Sequence, residues 1–321
     1  MHKYGGPFVF EKGIINMKDN PKPYLPVDEQ IKLLQSRGLI INNYDQAYRV
    51  LENNNYYRLS GYSLPLREHD KFYPNVSFSD LMDLYLFDAD MQAVSMNHLA
   101  PIEIALRTHI AYVLGEINPY AHLDKTCFEN DIYYEEFLQD LKAAVSESNN
   151  EAFIKHHNTK YSGRLPIWVV VEILSFGELS KLFEHLNYDL QKKICDNYYD
   201  GIPAKYICNW FHSLVVVRNL CAHRMRLGNR GIPTVPAFET KEFDYYVANG
   251  YEKNEVGKRL FFSFVIMQRV TPNINFINDI KSDIKHLCDK YPFVNLKHYG
   301  FKNNWERIFD SVCKGNYHEE V

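Results

Sequence analysis

The chain has 321 residues, 46% hydrophobic and 24% charged, with a formal net charge of −4; this balance is that of a folded protein with a substantial core, and it excludes wholesale disorder. It also excludes a polycation that coats nucleic acid, so any nucleic-acid site must be a local basic cleft. Six cysteines without a Cys-x-x-Cys pair read as buried free thiols of a reducing cytoplasm, rather than as disulfides or a zinc site.

Along the chain, residues 1–21 lack a secretory-signal pattern and read as a loose N-terminal extension. "VDEQIKLLQSRG" is amphipathic from an acidic first turn to a stop at Gly38, and "YDQAYRVLENNN" reads as a second short helix. "NYYRLSGYSLPL" (55–66) is turn-rich. Residues 77–117 form a long helical tract in which Ser77 and Asp80 make a capping box and Pro101 marks a kink or a second start. Further helices are expected at 133–148, 167–175, 178–186, 189–198 and 204–230. Beyond the two prolines of "GIPTVPAFET", the pattern turns helical again over 255–290, interrupted at Pro272, and "NNWERIFDSVCK" closes it. Alternating strand patterns are nearly absent, so the fold class is all-α. No apolar run reaches the ~18 residues of a membrane span, and the densest, "LFFSFVIM" (260–267), reads as buried helix.

The stretch that carries chemistry is "VVVRNLCAHRMRLGNR" (215–230). On a continuous helix with Asn219 at zero, His212, His223, Arg226 and Arg230 fall within about 40° of it, while Leu214, Val217, Leu220, Cys221 and Met225 lie on the other side. Arg218 stands off the edge of this stripe, within reach of His223. An imidazole exchanges protons near neutral pH, and a guanidinium grips phosphate oxygens in pairs. Asn219 could orient the ring or hold the phosphate. Because RNA carries its own 2′-hydroxyl nucleophile, such a site needs no metal and no cofactor. The bland reading is a structural histidine followed by a solvated, arginine-rich helix end.

"RNLCAHRMRLGNR" resembles the Arg-Asn-x-Cys-Ala-His signature of the Abi-like (abortive infection) family, a branch of the HEPN superfamily. Other blocks match in the same order: "KPYLPVDEQIKLLQSRGLII", "NYYRLSGY", "LYLFDADMQ", "IEIALRTHIAY" and "LPIWVVVEILSFGELSKL". The family often has a second histidine and a tryptophan where this chain has Arg224 and Gly228. The resemblance implies a HEPN-type helical bundle over 22–235, with a C-terminal helical extension over 236–321 packed on it. It implies a metal-independent endoribonuclease of phage defence or toxin type, held off by an RNA or protein partner and pairing as a homodimer through the HEPN helices. His223 would be the acid/base, Arg218 the phosphate stabiliser and Asn219 a positioning residue.

RNA contacts are expected at Arg58, Arg107, Arg226, Asn229 and Arg230. Two of these also have structural readings: Glu103 and Arg107 stand at the i, i+4 spacing of a helix salt bridge, the favoured reading there, and Arg58 sits among tyrosines that could equally pack as a corner or stack on a base. Lys155, His156, His157 and Lys160 lack acidic or cysteine partners at ligand spacing and read as a basic helix end, and Glu172 in "IWVVVEIL" requires an ion pair if buried. The alternative to a nuclease is a non-catalytic module that grips a structured non-coding RNA; a helical protein-interaction scaffold is a third reading. The chain is expected in the cytoplasm, with no membrane partner.

Overall fold

A computed structural model describes residues 24–272 and 279–313; the expected extension at 1–21 lies outside the described residues. These contain 14 α-helices, short 3-10 turns and one two-stranded ribbon, an all-α architecture. The chain divides into two compact units, residues 1–81 and 82–321.

In the first unit, α1 (Val27–Ser36) and α2 (Tyr44–Asn53) pack on each other and bury Ile31, Leu34, Ala47 and Leu51. Gly38, at φ +95, closes the turn after α1 in a conformation that favours glycine. The segment expected to be turn-rich is instead a short helix, α3 (Tyr56–Tyr62), followed by a 3-10 turn at Leu64–Leu66. The Asn55 side chain accepts the Tyr57 N–H at 2.8 Å, and burial of Leu59 and Tyr62 offsets the weak propensity of Ser60 and Gly61. An antiparallel ribbon of β1 (Arg67–Glu68) and β2 (Lys71–Phe72) follows.

Helix α4 (Phe78–Ile117) starts in the first unit, and its residues from Met82 belong to the second. Its capping box is present: the Ser77 N–H donates to Asp80 at 2.7 Å and the Asp80 N–H to Ser77 Oγ at 3.4 Å. The helix runs unbroken through Pro101, at the cost of one intrahelical hydrogen bond to the Asn97 carbonyl.

The second unit continues with α5 (Asp131–Glu147), α6 (Ala152–Lys160), α7 (Ile167–Ile173), α8 (Phe176–His185), α9 (Tyr188–Tyr198), α10 (Ala204–Ala222), α11 (Thr240–Ala248), α12 (Leu260–Val270), α13 (Ile280–Lys290) and α14 (Trp305–Cys313). Helix α10 is central, packed against α8, α9 and α12. Phe176, Phe183 and Tyr199 surround Phe211 edge-on, and each fully buried phenylalanine contributes about 2–3 kcal/mol. All of "LFFSFVIM" is buried in α12, as its composition predicts. The six cysteines are free. Glu172 is exposed, because α7 is only two turns long and turns that position outward, so it carries no burial cost. Among the described residues no helix is long and apolar enough to cross a membrane.

Candidate functional site

Helix α10 carries the Arg-Asn-x-Cys-Ala-His motif to its own C-terminus. Leu214, Val217, Leu220 and Cys221 are buried in the core, which fixes the rotation of the helix and leaves Asn219 exposed and Arg218 half-buried. The helix ends at Ala222, well short of the expected 230. The Arg224 N–H bonds the Cys221 carbonyl at 3.0 Å and the Met225 N–H bonds the Leu220 carbonyl at 2.8 Å, with Arg224 at φ +52. This is the paired hydrogen-bond pattern that closes a helix through one left-handed residue, usually glycine. An arginine occupies that place here, so no glycine marks the stop at that position.

The single polar stripe expected over 212–230 is therefore corrected. His212 and Asn219 lie on the helix and His223 caps it, whereas Arg226, Asn229 and Arg230 belong to the loop that follows. His223 stacks one turn beyond Asn219, whose carbonyl accepts its backbone N–H at 3.0 Å. Its imidazole is exposed, with no hydrogen-bond partner among the described residues.

Arg218 is held from its side. Its Nη1 donates to Asn219 Oδ1 at 3.1 Å, and its Nε stands 4.0 Å from Glu103 Oε2. Glu103 Oε1 in turn accepts Arg107 Nη2 at 2.5 Å, and the other arm of Arg107 donates to the Val171 carbonyl in α7. Glu103 thus stands between two guanidiniums, with its side chain 18% exposed. Such partly screened pairs orient more than they stabilise. Arg107 is engaged at both ends of its guanidinium and 15% exposed, so it anchors Glu103 rather than standing as an open surface cation.

The loop after His223 is organised by a second carboxylate. Asp88, fully buried on α4, accepts the Leu227 N–H at 3.0 Å, the Gly228 N–H at 2.8 Å, the Tyr299 hydroxyl at 3.0 Å and Gln92 Nε2 at 2.9 Å. Gln92 Nε2 also reaches the Met225 carbonyl at 3.1 Å. A side chain at Gly228 would meet the Tyr299 ring at 3.0 Å. Asn229 is tied to the same C-terminal segment: its N–H donates to the His298 carbonyl at 2.6 Å, and its Oδ1 lies 3.1 Å from His298 Nδ1. Burial, with the nearby Arg259 charge second, holds the His298 pKa below the ordinary histidine value.

The loop cations Arg226 and Arg230 are half-exposed beside Asn229. Arg58 belongs to α3 in the first unit and is half-buried there. The basic end of α6 is exposed, and His157 Nδ1 bonds its own Phe153 carbonyl at 2.8 Å. Among the described residues no group of three or more His, Cys, Asp or Glu side chains is placed to hold a metal ion.

Sequence reasoning missed Asp88, Gln92, Tyr299 and the hold of Glu103 on Arg218. A signal existed for the first two. They are polar residues one turn apart, each beside a fully buried apolar neighbour, Phe87 and Met91, which means a polar pair inside a core face. Arrangement and sequence agree with one outside comparison: a family model described as Abi-like protein matches residues 49–229, more than half of the chain. No curated protein and no solved structure was found to match.

Proposed function

Because this chain belongs to the Abi-like protein family, we propose that it is a metal-independent endoribonuclease of the HEPN type, acting in abortive infection or as a growth-arresting toxin. The observation that carries the reading is an exposed imidazole, His223, at the end of the same helix, α10, that bears Arg218, a guanidinium oriented by Asn219 and Glu103. In the reaction the 2′-oxygen bonds to phosphorus, the bond from phosphorus to the 5′-oxygen breaks, the 2′-hydroxyl proton leaves and the departing oxygen gains one. A 2′,3′-cyclic phosphate and a 5′-hydroxyl result, with no oxidant or added water. His223 exchanges one of these protons; a positioned acid/base contributes about 10²–10⁴-fold. Arg218 stabilises the charge that builds on the phosphoryl oxygens, and Asn219 positions the phosphate.

Arg226 and Arg230 grip the flanking strand, and Asn229 fixes the loop between them. A second copy of the chain, facing the first through the motif, would supply a second His223 to the same cleft. A partner, RNA or protein, restrains the enzyme in the cytoplasm until infection or stress releases it.

One observation favours the second reading, a non-catalytic module that grips a structured RNA: the Arg218 guanidinium rests on Glu103 and Asn219 rather than turning to His223. Incubation of the wild-type chain and of His223→Ala with end-labelled RNA in EDTA separates the two. A nuclease yields cyclic-phosphate ends from the wild type only, while His223→Ala binds RNA with wild-type affinity. Cleavage by His223→Ala, or loss of affinity in parallel with cleavage, would sink the proposal.

A further inference from the structure

The first unit holds a cavity of about 620 Å³ between α1, α2, α3 and the β1–β2 ribbon, outside the Arg-Asn-x-Cys-Ala-His motif. Three features of its lining are unusual together. Tyr57, at the start of α3, is 85% exposed at the cavity, and Tyr24, also lining it, is 86% exposed. Phenol rings so open to water have their faces free of protein packing. The second feature is Gln30 on α1. Its Nε2 donates to the Leu25 carbonyl at 2.8 Å, which fixes the amide's orientation, and its Oε1 is buried with no hydrogen-bond partner among the described residues. A buried acceptor left in this state is costly, and the cost is removed by a ligand that brings an N–H.

The third feature is charge. Arg37 and Arg67 converge on one carboxylate, Asp70, at 3.3 and 3.1 Å. Two guanidiniums on one carboxylate leave a net positive charge, and Asp70 is 64% exposed, so solvent screens its hold on them. Arg37 also donates to the Tyr56 hydroxyl at 3.1 Å and Arg67 to Ser63 Oγ at 3.0 Å, so both arginines are pre-oriented by neighbours that carry no charge.

We propose that this cavity binds one unpaired nucleotide of an RNA strand, with the base stacked on Tyr57, an N–H of its edge donated to Gln30 Oε1 and its phosphate held by Arg37 and Arg67. An open aromatic face, an orphaned acceptor and a cationic pair together match a nucleotide, since a base supplies a π-face and N–H donors and its phosphate supplies the anion. The cavity thereby gives the chain a second grip on RNA, independent of the cleavage motif; this inference rests on the RNA-directed reading above. Arg58, the cation singled out in the sequence beside these tyrosines, does not line the cavity; Arg37 and Arg67 take that role.

The test uses the full chain carrying His223→Ala, so that RNA stays intact, and reads fluorescence polarisation of a labelled single-stranded oligoadenylate. Tyr57→Ala should weaken binding about tenfold, the size expected for one lost stack, while Tyr57→Phe binds as the parent does. Gln30→Leu should also weaken binding with an unchanged circular-dichroism spectrum. Competition by AMP, with none from inorganic phosphate, identifies a pocket that accepts a free nucleotide; resistance to AMP with displacement by unlabelled oligoadenylate identifies one that takes its nucleotide only within a strand. Parent-like binding by both Tyr57→Ala and Gln30→Leu overturns the proposal, as does a parent chain that binds neither oligoadenylate nor AMP. The nuclease reading fails separately: a wild-type chain that cleaves nothing while Tyr57→Ala loses affinity keeps this pocket, and a chain that cleaves while Tyr57→Ala and Gln30→Leu both bind normally removes it.

Discussion

Helix α4 meets the motif at two places, and they work by different physics. At its N-terminal end Asp88 is fully buried and spends its oxygens on two backbone N–H groups, a tyrosine hydroxyl and a glutamine amide. Fifteen residues later, about 22 Å along the axis, Glu103 is partly open to solvent and meets only charged side chains, Arg107 and Arg218. The first contact fixes where the backbone after His223 runs. The second fixes where a guanidinium points. A buried carboxylate that satisfies backbone donors is structural in its consequences, because removing it strands several buried groups at once, whereas a partly exposed one between two arginines sets orientation at little cost in stability.

The strongest way to break this comparison is Asp88→Ala. It should cost about 3–5 kcal/mol in urea unfolding and abolish cleavage with it, since the loop of Arg226 to Arg230 loses its anchor. If stability and cleavage both survive, the loop is held by something else. Glu103→Gln should do the reverse, lowering cleavage about tenfold while unfolding shifts by under ~1 kcal/mol. A large stability loss in that variant would erase the distinction between the two ends.

Acidification probes the surrounding core through its buried histidines. Burial lowers the pKa of His109 and of His122 to about 4, His109 lying stacked on Tyr198. A histidine kept neutral in the fold adds stability that is complete above its unfolded pKa near 6.5 and lost as pH falls toward 4, because the unfolded chain takes up protons first. The thermal midpoint should be flat above pH 6.5 and decline below it, and His122→Phe should flatten that decline; an unchanged profile in the variant would remove His122 from the account. The smallest effect belongs to Gly228→Ala, about 1 kcal/mol from the 3.0 Å approach to Tyr299, measured by the same unfolding titration.

Much of the fold was legible because its signals are local. The Ser77 and Asp80 capping box, the apolar run of α12 and the apolar face of α10 from Leu214 to Cys221 each lie within a few turns of chain, and each is where the sequence placed it; Met225, expected on that face, is exposed beyond the helix end. The motif itself was legible for the same reason. What stayed hidden depends on partners distant in sequence. Asp88 reaches residues 227 and 299, and nothing near it announces either. The stop at Ala222 was missed because Arg224 takes a left-handed backbone usually reserved for glycine, and the helicity of 56–62 was missed because tertiary burial overrode the weak propensity of serine and glycine.

The contact between Gly228 and Tyr299 has a consequence for descent. The motif loop and the C-terminal segment share one volume, which a bulky side chain at 228 or the ring of Tyr299 can fill, but not both. Beside the motif this chain carries only a hydrogen atom at position 228 and takes an aromatic ring from 71 positions downstream. Residue 299 also lies outside the segment that the family model matches. The two positions constrain each other, so a change in size well beyond alanine at one calls for a change at the other. A relative with a bulky residue at the first position should lack the aromatic at the second, and a chimera that exchanges only the C-terminal segment should fail to fold around the motif unless position 228 is exchanged with it.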